Sequence, residues 1–212
     1  MPPRADAGTR APLLIATRSN GKVRELRALL AAAGHDAIDL CAAGIEEDAA
    51  EDDLESGTTF EENALAKARH FFARSGMPTI ADDSGLEISA LGGAPGIRSK
   101  RWSERADLRG RTLDDANNAL LLERLTGTND RHARYVCAAA YCDGTRALVG
   151  RGEARGQITT APRGRGGFGY DPYFLSDELG RTFAEVTLEA KSRVSHRARA
   201  VAEVLRMLAS RR

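Results

Sequence analysis

The feature that most constrains this chain lies near its start, where a short apolar run turns through a polar elbow into an amphipathic helix. Leu13-Leu14-Ile15-Ala16 reads as a buried strand. Thr17-Arg18-Ser19-Asn20-Gly21-Lys22 forms the elbow. Leu26, Leu29, Leu30 and Ala33 then recur at helical spacing, and Gly34 is placed to end the helix. Such an elbow presents free backbone N–H groups and the positive end of a helix dipole, which suits a phosphate. Lys22 adds a charge one turn in. An ordinary strand-to-helix turn capped by Ser19 or Asn20 fits the segment equally well.

A second informative stretch is Ala81-Asp82-Asp83-Ser84-Gly85-Leu86-Glu87-Ile88. Thr79 to Ala81 before the acids and Leu86 to Leu91 after them are β-prone, which places Asp82 and Asp83 where one strand gives way to the next. Adjacent carboxylates repel, and burying either one unpaired is costly. Positive charge is therefore expected among them, and a hard divalent cation with oxygen ligands is the simplest source. Taken alone, the motif also reads as an Asp-Ser-Gly turn whose side chains bond their own backbone.

Between these stretches, Ile38 to Leu40 is a candidate strand, and Glu46 to Glu55 is an acidic loop of mostly solvated charge. Glu55 stands apart because Ser56-Gly57 bends the chain straight into Thr59-Phe60-Glu61-Glu62, a capping box. The helix opened there runs to about Arg74 with Phe60, Ala64, Ala68 and Phe71 as its apolar stripe. Asn63 and Lys67 lie on the edge of that stripe, where a lysine either reaches to water or meets an anion.

Beyond the acids, the turn-rich Gly92-Gly93-Ala94-Pro95-Gly96 delivers Ser99, Lys100, Arg101 and Trp102 to an exposed position. Thr112 to Asp115 opens a helix with Leu120, Leu121 and Leu125 inward. Arg134 to Cys142, the Asp143-Gly144 turn and Arg146 to Gly150 read as a hairpin, and Arg155 to Ile158 as the tail of its sheet. Arg163 to Gly169 has the composition of an arginine–glycine nucleic-acid tail. It is a single short copy, however, and Phe168 and Tyr170 supply faces on which one base can stack. Lys191 precedes Ser195-His196-Arg197, which opens a last helix with Val201, Val204, Leu205 and Leu208 inward. Positive charge in a first helical turn is unfavourable unless an acceptor answers it, and a ligand offering acceptors would.

Composition narrows the partners. Lys+Arg 31 against Asp+Glu 30 leaves a net charge of +1, so no global field argues for nucleic acid or membrane. No apolar run approaches the ~20 residues that cross a bilayer. Cys41, Cys137 and Cys142 are odd in number and lack ligand spacing, which fits reduced thiols in a cytoplasmic protein. Residues 1–12 lack a signal-peptide core and read as a loose tail.

Six motifs in order resemble the inosine triphosphate pyrophosphatase family, which acts on non-canonical purine nucleotides. They are Ala16-Thr17 to Glu25, Thr59 to Ala68, Ala81 to Leu86, Gly92 to Arg101, Gly166 to Pro172, and Lys191-Ser192 with Ser195-His196-Arg197. The resemblance implies an α/β fold on a long twisted mixed β-sheet flanked by helices, with two lobes and a central cleft. Residues 13–212 would form that single domain, normally as a homodimer. It implies Mg²⁺-dependent hydrolysis of ITP, dITP and XTP to monophosphate and pyrophosphate, cleansing the nucleotide pool.

Asp82 is a further metal candidate beside Asp83, and Lys67, with Lys22 and Lys191, is a candidate to neutralise phosphate oxygens in catalysis. By the resemblance, Asp83 falls on the catalytic base and metal position and Glu55 on the other metal carboxylate. Thr17, Arg18, Ser19, Asn20, Gly21, Lys22, Ser84, Phe168, Gly169, Tyr170, Asp171, Lys191, His196 and Arg197 fall on substrate-contacting positions. One departure is Ser19, which stands where the family's first motif carries Asn. Two rival readings remain: a similarly folded pyrophosphatase of pyrimidine or ordinary nucleotides, and an RNA-binding module using the arginine–glycine loop.

Overall fold

The computed structural model describes residues 11–210. The loose tail expected over residues 1–12 therefore lies, up to residue 10, outside the described residues. Strand β1 (Leu13–Ile15) leads into α1 (Asn20–Ala32), and β2 (Ala37–Asp39), α2 (Phe60–Ser75) and β3 (Thr79–Ile88) follow. Then come α3 (Gly110–Arg124), β4 (His132–Cys142), β5 (Ala147–Ile158), β6 (Phe174–Ser176), α4 (Leu188–Val194) and α5 (His196–Ala209). Short 3-10 turns at Ala49–Glu55 and Gly96–Arg101 sit beside the cleft described below. The sheet order is β2-β1-β3-β4-β5-β6; β1 runs parallel to β2 and β3, and the other pairs are antiparallel.

Local chemistry explains the helix ends. Thr59 and Glu62 form the capping box that starts α2, and Gly76 closes it in a left-handed conformation at φ 67°. Ser19 caps α1 and Ser195 caps α5 through their side-chain oxygens.

Because successive strand residues face opposite ways, the long central strands carry two separate cores. Ile80, Cys137 and Ala139 pack with Leu26, Leu30, Val201 and Val204 of α1 and α5. Ala81, Ala138 and Ala140 pack on the other face with Phe60, Ala64 and Phe71 of α2. Further along the same strands, Leu86, Ile88, Tyr135 and Ala154 join Leu121, Phe174 and Phe183 in a third core. The acids of β3 fall between these cores, at the middle of the sheet.

Two expectations change here. Asp82 and Asp83 do not mark a junction between strands: β3 is continuous from Thr79 to Ile88 and pairs residue for residue with β4. The β4 partner is itself more extended than the sequence suggested, since β5 runs unbroken from Ala147 to Ile158. Glycines in β5 make that possible. At Gly152 an added Cβ would lie 2.2 Å from the His196 carbonyl oxygen, so α5 rests directly on the strand.

Candidate active site

A cleft of about 950 Å³ opens over the α1 elbow, the middle of β3, the Gly96–Arg101 turn and the Phe168–Asp171 loop. Its volume is at the upper end of small-ligand sites.

The alternation of β3 sends its two acids to different places. Asp83 faces α2, where Lys67 Nζ lies 3.0 Å from Asp83 Oδ1 and 2.9 Å from Glu55 Oε1. Asn63 Nδ2 donates to Asp83 Oδ2 at 3.0 Å, while Asn63 Oδ1 accepts from Gly57 N–H at 2.9 Å. The Glu55 segment and the β3 acid are thus tied together by one helix face, with Asn63 and Lys67 at i and i+4. Arg101 Nη1 reaches Glu55 Oε2 at 3.1 Å. Burial opposes ionisation of Glu55, but Lys67 and Lys22 overcome it and hold its carboxyl at about 2.

Asp82 belongs to another group and does not join Glu55 and Asp83, which corrects its place among the candidate metal ligands. Fully buried on the α1–α5 face, Asp82 Oδ2 accepts from Arg197 Nε and Nη2 at 3.1 and 3.0 Å, and Lys22 Nζ lies 3.1 Å away. Arg197 also donates to Ser84 Oγ at 2.8 Å and pairs with Glu25. Glu25 in turn pairs with Lys191 at 2.8 Å, and Lys191 with Asp171 at 2.6 Å.

The result is a chain of three cations and three carboxylates from the elbow to the Phe168 loop. The acceptor that answers Arg197 at the start of α5 is therefore the protein's own Glu25 and Asp82. Glu25 is the member with no assigned role in the sequence reading; its spacing one turn beyond Lys22 was the available signal.

Other candidates sort by what they touch. Thr17, Ser19, Asn20 and Gly21 line the cleft at the elbow, where the first turn of α1 leaves N–H groups without helical acceptors. Ser19 is occupied as the cap of that helix, its Oγ 3.5 Å from Lys22 N. Arg18 is committed to the acidic loop, donating to Glu51 at 2.9 and 2.6 Å and to the Ile45 carbonyl at 2.8 Å. Glu51 also pairs with Arg74, so this loop is docked rather than merely solvated.

Phe168 packs its ring on the elbow, where an added Cβ at Gly21 would meet it at 2.4 Å. Tyr170 is buried and donates to the Ser99 carbonyl at 2.8 Å, so it is a core residue and not a stacking face. Ser99, expected to be exposed, is buried: its Oγ accepts from Leu86 N–H at 2.8 Å. Lys100 lines the cleft without an ion-pair partner among the described residues and was not among the sequence candidates. Its side chain is exposed overall, yet crowding by the cleft walls, and then the opposing Lys22, Lys67 and Arg101 charges, depress its pKa despite Glu55.

His196 is buried with its ring stacked on Tyr135 at 4.5 Å, and among the described residues nothing pairs its Nδ1. Burial, then Arg197 and Lys191, push its pKa well below 6.5. The folded protein refuses a proton there that the unfolded chain accepts. Its contribution is therefore fully present above pH 6.5 and is lost as pH falls below that value. Denaturant unfolding from pH 7 to 5 should show the parent losing up to about 1.4 kcal/mol per pH unit more than His196→Asn.

Fold and cleft together define an α/β protein whose central site pairs carboxylates with lysines beside a strand-to-helix elbow. Comparisons with known proteins give its family. The model of the Ham1 family matches residues 13–207, and the chain belongs to that family. A dITP/XTP pyrophosphatase of Ralstonia nicotianae is 45% identical over 199 residues, covering 92% of this chain and 96% of the relative. One from Mycobacterium tuberculosis is 47% identical over 201 residues, covering 93% and 95%. The Staphylococcus aureus Ham1 protein structure aligns with a TM-score of 0.77 and 32% identity over 95% of this chain and 100% of that one. No helix among the described residues is long and apolar enough to cross a membrane.

Proposed function

We propose that this chain hydrolyses dITP, ITP and XTP to the monophosphate and pyrophosphate. The observation that carries the reading is the meeting of Glu55 and Asp83 on the single Lys67 ammonium beside the elbow. Family membership and relatives called dITP/XTP pyrophosphatases support it.

No cluster of three or more His, Cys, Asp or Glu side chains suited to a metal occurs among the described residues. Two carboxylates fit Mg²⁺ nonetheless, since that ion commonly takes one or two carboxylates and completes its shell with substrate phosphates and water. Glu55 and Asp83 would hold it. When bound, the ion supplies Lewis-acid polarisation and offsets charge on the departing pyrophosphate.

The chain's own groups account for the rest. Asp83 accepts from Asn63 and Lys67 and keeps lone pairs for a water proton, so it orients the attacking water. The water oxygen bonds the α-phosphorus as the bridging oxygen leaves with pyrophosphate. Lys67 holds both carboxylates in place, and Lys100, which no carboxylate claims, faces the phosphates with the elbow N–H groups.

Phe168 stacks on the base. His196 is kept neutral, and in its Nδ1–H tautomer it donates to a 6-keto oxygen. Adenine would oppose that donor with its amino group, at a cost of about 1–3 kcal/mol. A single homodimeric, cytoplasmic, two-lobed domain from residue 13 onward belongs to the same proposal. The cysteines support the compartment, since all three are free.

Incubating purified protein with dITP, XTP, GTP, dTTP or RNA, with and without Mg²⁺, tests the reading. Pyrophosphate is expected from dITP and XTP only when Mg²⁺ is present. GTP turnover equal to that of dITP, or release of orthophosphate, would contradict it. Turnover of dTTP would favour the pyrimidine alternative, and salt-sensitive RNA retention the binding-module alternative.

A further inference from the structure

We propose that one face of α3, carrying Asp114, Asn117 and Asn118, sets the separation between the base-stacking loop and the turn that carries Lys100. These side chains would then be positioning residues for purine recognition. The inference rests on the functional reading above and extends it to side chains that act through the Gly169 and Lys100 backbone.

Asp114 and Asn118 stand one helical turn apart and project from the same side of the helix. Between them they hold both ends of one residue: Asp114 Oδ2 accepts from Gly169 N–H at 2.8 Å, and Asn118 Nδ2 donates to the Gly169 carbonyl at 3.0 Å. Gly169 lies at φ +61°, a conformation that side-chain-bearing residues adopt at a cost, so its peptide needs holding. Phe168 precedes it, and the Phe168 N–H is bonded in turn to Asp171 Oδ2 at 3.0 Å. The backbone on both sides of the stacking ring is therefore fixed, and two of the three anchors come from α3.

Asn117 holds the opposite wall. Its Oδ1 accepts from Ser103 N–H at 2.8 Å and its Nδ2 donates to the Lys100 carbonyl at 3.1 Å. One rigid helix thus grips the base end and the phosphate end of the cleft at neighbouring positions. A change in either grip moves the ring relative to the cations without touching the Glu55–Lys67–Asp83 group.

Asp114 is only half-buried, so its replacement leaves the fold intact, which melting curves verify. Asp114→Ala and Asn118→Ala should each raise KM for dITP about tenfold, as expected for one lost hydrogen bond, with most of the change in KM rather than kcat. Asp114→Asn keeps an acceptor for Gly169 N–H and should restore KM to near the parent value. Inhibition by inorganic tripolyphosphate, which has no base, should keep its Ki in all three variants.

An unchanged KM in Asp114→Ala and Asn118→Ala would overturn the inference, as would a Ki for tripolyphosphate that moves by the same factor as KM. A parent protein that releases no pyrophosphate from dITP or XTP would defeat the functional reading and this inference with it. An active parent with indifferent variants would defeat this inference alone.

Discussion

Asp83→Asn should lose about 10²–10⁴-fold in dITP turnover while remaining folded, the range spanned by removal of a positioned general base. The substitution keeps the shape of the side chain and changes what it offers. Asp83 accepts from Lys67 on one oxygen and from Asn63 on the other. An amide in its place turns one acceptor into a donor facing another donor and removes a negative charge that would hold Mg²⁺ and orient water. Lys67 still has Glu55 as a partner at 2.9 Å, so no buried cation is abandoned. The stability cost should therefore stay near that of one mismatched hydrogen bond, about 1–3 kcal/mol. Pyrophosphate release at saturating dITP, alongside urea unfolding, reads both quantities. Turnover within threefold of the parent would remove Asp83 from the chemistry.

The neighbouring substitution should do the reverse. Asp82→Asn is expected to cost about 3–5 kcal/mol of stability, the range for breaking a buried ion pair by removing one partner. Asp82 is fully buried, and Arg197 and Lys22 share its Oδ2. Burial alone would raise its pKa; Arg197 and Lys22 reverse that and hold it far below the usual carboxylate range. With a neutral amide there, Lys22 loses its ion-pair partner and Arg197 is left with Glu25 and Ser84. Urea midpoints at pH 7 measure the loss. A variant as stable as the parent but altered in its Mg²⁺ requirement would return Asp82 to the metal-binding group.

The different surroundings of these adjacent residues show where sequence reading stops. The capping box at Thr59, the strand–elbow–helix opening, the end of α1 and the inward stripe of α5 are local matters, and each stands in the structure where the spacing places it. The resemblance set Glu55 and Asp83 at one metal position; that Lys67 bridges the two carboxylates is a finding of the structure, and the capping box explains how α2 presents it.

Asp82 was misplaced because the acid pair was taken as a junction between two strands. A junction would let both carboxylates converge, whereas a continuous strand sends them to opposite faces. Tyr170 and Ser99 were misread for a related reason: each lies in a turn-rich segment that looks exposed in sequence, yet the hydroxyl of one bonds the carbonyl of the other in the interior.

By itself, then, the sequence determined the longer helices, the caps at Thr59 and Ser195 and the inventory of charged groups, because propensity, periodicity and capping act over a few residues. Only the tertiary structure decided which acid meets which cation. Arg197 reaches Asp82 across 115 positions of chain, and the energy of an ion pair depends on distance and burial in space, which no local pattern encodes.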